Sequence, residues 1–304
     1  MGERTVVPAS AGPGVPRVLS IAGSDSGGGA GIQADLKTIA AWGGYGMTAV
    51  TAVTAQNTQG VQAVHSLPSE AVQDQLDSVG EDIAVDAVKV GMLGSAEVME
   101  VVAARLEQCA APVVLDPVMV ASSGDSLTAA DVAAWERLLD AADLVTPNLP
   151  ELEVLTGRTL PDWDSALAAA GGLAERHRVT VLVKGGHLDP AHHPDGVPDA
   201  LVGPGTGSAG EAADEAGRHG PGEAAVVVTG PWQRVRSTHG TGCTLSSALA
   251  TLAGAGLGWE DALRQAKPWL AAAMSRGEAL RVGRRELPGW HGPVDHGWRE
   301  RERG

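Results

Sequence analysis

Residues 238–250 read THGTGCTLSSALA, so Gly240, Thr241 and Gly242 run directly into Cys243 and a predicted helix. Glycine lets a backbone approach a ligand closely and adopt positive φ. The unpaired N–H groups at a helix start, and the positive end of its dipole, favour an anion. This stretch therefore suits a phosphate, and above all the charge that develops on a phosphoryl group in transfer. A cysteine in the first helical turn feels the same field. Its pKa is expected to fall from about 8.5 toward neutrality, and a thiolate there could accept a proton from a substrate hydroxyl. The same residues could instead form a tight helix–strand contact around a small buried thiol.

Three further places carry chemistry-bearing side chains. In TPNLPE (146–151), Asn148 and Glu151 stand three apart at a strand-to-helix junction. An amide oxygen and a carboxylate there could hold Mg²⁺ through waters, or the pair could form a helix capping box. In VLVKGGH (181–187), Lys184 follows an apolar strand and precedes two glycines. It could reach a phosphate oxygen or extend into water. Asp116 ends the VVLD strand beside Pro117, where it could help bind Mg²⁺ or form a turn. The glycine-rich AGSDSGGGAGIQAD (22–35) lacks the Gly-Lys-Ser/Thr of a Walker A loop. With Asp35 behind it, it could contact substrate or serve as an ordinary βα turn.

The elements that must position these residues alternate. Strands are predicted at 17–23, 47–55, 85–91, 112–117, 144–148 and 179–186. Helices are predicted at 32–42, 69–80, 95–108, 128–139 and 164–176. Strands apolar on both faces and alternating with helices predict an α/β fold with a mainly parallel sheet covered on both sides. In such sheets ligands bind beyond the carboxyl ends of the strands. The glycine loops at 23–31, 91–94, 185–186 and 240–242 are expected to gather along that edge. Strands at 224–230 and 232–237 and helices at 241–256 and 259–280 complete the pattern. Residues 1–16 are expected to be a disordered tail. Residues 189–223, rich in Gly, Pro, Ala and acids, are expected to be an exposed insertion with at most a brief strand at LVG. Residues 297–304 are expected to be a polar tail.

The totals agree. The 304 residues can bury a sizeable core. Hydrophobic residues make 43% and charged ones 19%, as in ordinary globular proteins. With no Phe and one Tyr, the core must be built from aliphatic side chains. A net charge of −15 argues against nucleic acid or an anionic membrane as partner. Two cysteines, Cys109 and Cys243, give no disulfide framework, so a reducing cytoplasm is the simplest reading. No apolar run reaches membrane-spanning length.

The segments AGSDSGGGAGIQADLKT, TAVTAQNTQGV, VKVGML, VLDPVMV, TPNLPE, VLVKGGH and HGTGCTLSSALA occur in that order. Together they resemble the hydroxymethylpyrimidine/phosphomethylpyrimidine kinases of thiamine biosynthesis, within the ribokinase-like superfamily. The resemblance covers about residues 17–296. It implies a three-layer α/β/α sandwich around a mainly parallel sheet, and a homodimer. It implies use of ATP and Mg²⁺ to phosphorylate 4-amino-5-hydroxymethyl-2-methylpyrimidine, and then its monophosphate. Carried over by motif, Gln56 binds the aminopyrimidine, and Ala30, Asp35, Met92 and Val118 line its pocket. Cys243 is the base, and the amides of Gly240, Thr241, Gly242 and Cys243 form the anion hole. Lys184 contacts phosphates, and Asn148, Glu151 and Asp116 organise the metal and nucleotide. Ser122 stands where many relatives carry lysine. Two rival functions remain. One is a pyridoxal kinase of the same superfamily. The other is a catalytically silent pyrimidine-binding protein, which would need broken catalytic residues; here Cys243, Lys184, Asn148 and Glu151 are intact.

Overall fold

The structure is a computed structural model and describes residues 14–119, 132–205 and 225–303. Within them the chain runs β1 (Arg17–Asp25), α1 (Gly31–Ala41), β2 (Tyr45–Asn57), β3 (Gly60–Ser66), α2 (Ser69–Asp82), β4 (Ala87–Val90) and α3 (Ala96–Leu106). It continues through β5 (Val113–Leu115), α4 (Val132–Asp140), β6 (Leu144–Val145), α5 (Leu149–Thr156), α6 (Trp163–His177), β7 (Thr180–Lys184) and β8 (Val197–Val202). It ends with β9 (Val226–Gly230), α7 (Thr241–Gly254), α8 (Trp259–Gly277) and α9 (Trp298–Arg303).

The strands form one sheet in the order β3-β2-β1-β4-β5-β6-β7-β8-β9. From β2 to β7 every neighbour is parallel. At one edge β3 pairs antiparallel with β2, and at the other β8 pairs antiparallel with both β7 and the edge strand β9. Side chains on a strand alternate between faces, and the core divides accordingly. Leu19, Ile21, Val88, Val90, Val113, Leu115, Val181 and Val183 pack with α2, α3, α4, α5 and α6. Val18, Ala87, Val114, Leu144 and Leu182 face the other way, against α1, α7 and α8. The ribokinase-like three-layer sandwich is therefore present, with mainly aliphatic side chains filling both interfaces and Trp135 of α4 joining them on one side.

Four expectations need correction. β3 is a hairpin partner of β2 that the sequence reading passed over. The first part of the expected insertion contains β8, which lies inside the sheet between β7 and β9; residues 206–224 fall outside the described residues. Residues 232–237 form no strand. Arg236 instead engages the C-terminal loop: its carbonyl accepts the Gly292 N–H, and its guanidinium donates to the Arg285 and Leu287 carbonyls. The expected polar tail carries α9, where Arg276 and Arg299 stack on Trp298. No helix among the described residues is long and apolar enough to cross a membrane.

Candidate active site

Because β1, β4, β5, β6 and β7 are parallel, their carboxyl ends share one edge, and the segments that follow them meet there. They line a cavity of about 810 Å³ together with the start of α7. Gly240 precedes α7 in the left-handed region, φ 79°. A side chain there would run into the Gly29 carbonyl of the loop after β1, so two glycine loops lie in contact. This close approach requires glycine at 240. Thr241, Gly242 and Cys243, in the first turn of α7, line the cavity, and the Thr241 N–H donates to the Thr238 carbonyl at 3.4 Å.

Facing those amides is a charged cluster. Asp116 Oδ1 accepts hydrogen bonds from Thr146 Oγ1 at 3.1 Å and from Lys184 Nζ at 3.3 Å, and Ser246 Oγ donates to Asp116 Oδ2 at 3.4 Å. Burial works against the Lys184 charge, but Asp116 and Glu151 outweigh it and hold the pKa above the usual lysine value. Burial pushes Glu151 up to about 7, with Asp116 adding to the shift and Lys184 opposing it.

Asn148 and Glu151 form the capping box of α5. Asn148 Oδ1 accepts the Glu151 N–H at 2.9 Å, and Glu151 Oε2 accepts the Asn148 N–H at 2.8 Å. Both also line the cavity, so the two readings of TPNLPE coincide for Glu151. The Asn148 side-chain oxygen and one Glu151 carboxylate oxygen each accept a single N–H in the cap, and each keeps a lone pair for a metal-bound water. Among the described residues no cluster of three or more His, Cys, Asp or Glu is arranged to hold a metal. The pair of buried carboxylates, Asp116 and Glu151, fits a Mg²⁺ that takes one or two protein carboxylates and fills its sphere with phosphate oxygens and water.

Cys243 lies beside this cluster, half-buried. The expected fall in its pKa is not found. Burial raises the thiol to about 11, and the Asp35 and Asp116 carboxylates add to the shift. Lys89 and the Gly31 N–H pull the other way without overcoming it. Burial, aided by the carboxylate just after β5 and the one in α1, thus keeps the thiol protonated at the helix start.

Of the expected pocket residues, Gln56, Ala30, Met92 and Val118 line the cavity, and Asp35 does not. Asp35 is fully buried. Its carboxylate is taken by Lys89 at 2.9 Å, Ser20 Oγ at 2.6 Å and Ser247 Oγ at 2.8 Å. It lies under the floor of the cavity, with no face left for substrate. Ser122 lies outside the described residues.

Several cavity residues went unassigned in the sequence. Lys89 is one, and a charged residue in the apolar run VDAVKVG was its signal. Asp25 is another: its carboxylate accepts the N–H groups of Gly27, Gly29 and Ala30 and pairs with His239 Nε2 at 2.9 Å. At the other end, Val197, Trp232, Leu270 and Met274 supply apolar surface beside the buried Lys267–Asp199 ion pair.

Comparison with known proteins gives this arrangement its relatives. The family model described as phosphomethylpyrimidine kinase matches residues 25–290. A thiamine biosynthesis multifunctional protein of Corynebacterium efficiens is 46% identical over 92% of this chain, and the chain spans 35% of that relative's length. The hydroxymethylpyrimidine/phosphomethylpyrimidine kinase of Streptomyces coelicolor is 45% identical over 93% of this chain and 95% of its own. Among solved structures, an ADP complex of Bacillus subtilis pyridoxal kinase superposes with a TM-score of 0.75 at 30% identity, covering 93% of this chain and 98% of that one. The match to the family model runs from Asp25 at the first glycine loop to Trp290 near the C-terminal loop that meets Arg236. It takes in every residue gathered at the cavity's charged end, and the chain belongs to the phosphomethylpyrimidine kinase family.

Proposed function

We propose that this chain is an ATP-dependent kinase. In this reading it phosphorylates the hydroxymethyl group of 4-amino-5-hydroxymethyl-2-methylpyrimidine, and then the resulting monophosphate to the diphosphate. One observation carries the reading. A single cavity joins a helix start rich in glycine amides, a Lys184–Asp116–Glu151 cluster and an apolar end, with Gln56 at the opposite wall. The names of the relatives support it.

The chemistry follows from the parts. Phosphoryl transfer needs positioning and charge stabilisation more than covalent help. In this reading the amides of Gly240, Gly242 and Cys243 hold the oxygens of the moving group, with Thr241 joining them once its N–H leaves the Thr238 carbonyl, and Lys184 meets the charge between donor and acceptor. Mg²⁺, held by Asp116 and Glu151, supplies charge neutralisation on the nucleotide phosphates when bound. Val197, Trp232, Leu270 and Met274 offer an apolar seat for the base of ATP. Gln56 presents an amide to the aminopyrimidine edge, as Gln does to adenine; Ala30, Met92 and Val118 hold the ring.

A thiol held at about 11 carries its proton at neutral pH, so Cys243 works as a relay rather than a standing base. As the substrate oxygen bonds to the γ-phosphorus, the bond from that phosphorus to the bridging oxygen breaks and ADP leaves; the substrate O–H proton passes to Sγ, and the thiol's own proton passes to an oxygen of the transferred phosphoryl group. The homodimer belongs to the same reading and is checked by light scattering.

Mass analysis of products formed from the pyrimidine alcohol and MgATP tests the function. The expected result is a monophosphate followed by a diphosphate, and the absence of any phosphorylated product overturns it. The likeness to a pyridoxal kinase favours one second reading, phosphorylation of pyridoxal. A kcat/KM for pyridoxal equal to or above that for the pyrimidine would make it the first.

A further inference from the structure

The amide end of Gln56 stands between two groups. One of its termini lies 3.3 Å from His239 Nε2, and the other lies 3.1 Å from Thr54 Oγ1. His239 Nε2 also lies 2.9 Å from Asp25 Oδ2. Asp25 is buried and already accepts three backbone N–H groups. Burial works against its charge, yet His239 and the Ala30 and Gly27 N–H groups hold its pKa below the usual carboxylate range. An ionised carboxylate only accepts, so His239 Nε2 carries a hydrogen.

That hydrogen decides how Gln56 lies. With the Gln56 nitrogen toward His239, two N–H donors would confront each other. With the amide turned over, Gln56 Oε1 shares the His239 Nε2–H as a second, longer acceptor beside Asp25 Oδ2, and Gln56 Nε2 donates to Thr54 Oγ1. Thr54 then donates its own hydrogen to the Ser24 carbonyl, 3.0 Å away. Every donor in the chain Asp25–His239–Gln56–Thr54–Ser24 then has an acceptor, and the two amide orientations differ by no volume.

We infer that His239 and Asp25 form a lock that fixes the Gln56 amide in one orientation, so that the site selects a 4-amino pyrimidine against its 4-oxo counterpart. Locked, Gln56 has one oxygen lone pair left on the His239 side and one N–H left on the Thr54 side. A 4-aminopyrimidine fits both: its amino group donates to Oε1, and its ring nitrogen accepts from Nε2. A 4-oxo pyrimidine presents the reverse pattern, oxygen on oxygen and N–H on N–H. A free glutamine would turn over and accommodate it; this one cannot do so without setting a donor against His239. His239 is a positioning residue here, since it acts through Gln56. The inference rests on the proposed function for its substrate and on the hydrogen-bond chain for its mechanism.

The test compares 4-amino-5-hydroxymethyl-2-methylpyrimidine with its 4-oxo analogue, in binding by calorimetry and in kcat/KM. Wild type is expected to favour the amino form by about 10³-fold or more, because a mispaired buried polar edge discriminates strongly. In His239→Leu the ratio is expected to shrink by roughly 10- to 100-fold, with kcat/KM for the oxo analogue rising. General damage to the fold lowers both substrates together and leaves the ratio alone, so a folded variant with an unchanged ratio overturns the lock. Nitrogen-15 NMR of the wild-type protein gives a readout that needs no variant. A protonated His239 Nε2 supports the lock, and an Nε2 of acceptor type overturns it. A wild-type protein that binds the amino form selectively yet transfers no phosphate overturns the kinase reading and leaves the lock standing.

Discussion

Lys89 Nζ lies 2.9 Å from Asp35 Oδ1, and both side chains are completely buried. One comes from β4 and the other from α1, so the pair joins the sheet to the helix layer beneath the cavity. Burial works against the Lys89 charge, but Asp35, Cys243 and Asp116 hold its pKa above the usual lysine value. Breaking such a pair strands a charge, whereas replacing both partners with apolar groups need not. Lys89→Met is therefore expected to lower stability in urea unfolding by about 3–5 kcal/mol. Lys89→Met combined with Asp35→Leu is expected to regain much of that loss. A single variant as stable as wild type would show that the pair carries no such weight.

Cys243 offers a test of relay against base. A serine hydroxyl passes a proton along as a thiol does, while alanine passes none. Cys243→Ala is expected to lower kcat by about 10²–10⁴-fold, with substrate binding nearly intact. Cys243→Ser is expected to stay within about tenfold of wild type. Equal, severe losses in both would mean that a standing thiolate does the work, and an unchanged alanine variant would mean that Cys243 only packs.

Glu151 predicts a pH dependence of stability. Its pKa is about 7 in the folded protein against 4.5 ordinarily. Between these values the native state keeps a proton that the unfolded chain has lost, so stability falls as pH rises across that window. Above about 7 both states are ionised and the cost is fully present. Glu151→Gln keeps an acceptor for the capping box and removes the titration. The variant is expected to gain on wild type between pH 5.5 and pH 8 by on the order of 2 kcal/mol. Urea unfolding at the two pH values reads it, and parallel behaviour would mean that Glu151 titrates normally.

The edge that carries the site was legible because parallel strands put their carboxyl ends together, so glycine loops far apart in sequence had to converge. What local pattern could not show was pairing across elements. Helical spacing alone would put the apolar Ile32, Leu36, Ile39 and Ala40 on one face of α1, but Leu36 and Ala40 are exposed while Ala34, Asp35 and Thr38 are buried. Asp35 faces inward because Lys89, 54 residues away, neutralises it. The same blindness explains Cys243: the helix start was visible, but the burial of the thiol and the Asp35 and Asp116 carboxylates around it were not. His239 was passed over because its partners, Asp25 and Gln56, lie 214 and 183 residues away. Gly and Pro around 189–205 hid β8, whose place is set by β7 and β9 on either side.

Gly240 and Gly242 sit two residues apart, one at the cap and one in the first turn of α7, and they differ in what a side chain would meet. Gly240 has positive φ, and a β-carbon there collides with the Gly29 carbonyl, which is backbone and cannot swing aside. Gly240→Ala is expected to cost at least about 1–2 kcal/mol from the left-handed conformation alone, and more from the collision, so its Tm falls. At Gly242 a β-carbon would lie 3.4 Å from Asp116 Oδ2 and 3.5 Å from Lys184 Nζ, ordinary contact distances. The fold tolerates it, but the methyl group stands between the start of α7 and Lys184, where the proposed transfer places the phosphoryl group. Gly242→Ala is therefore expected to keep the wild-type Tm while kcat falls by about 10²–10³-fold, the scale of losing one oxyanion donor. Thermal unfolding and steady-state kinetics on the two variants separate the roles. A Gly242→Ala protein with full activity would mean that the transferred group does not lie between α7 and Lys184, and the proposed anion hole would have to move.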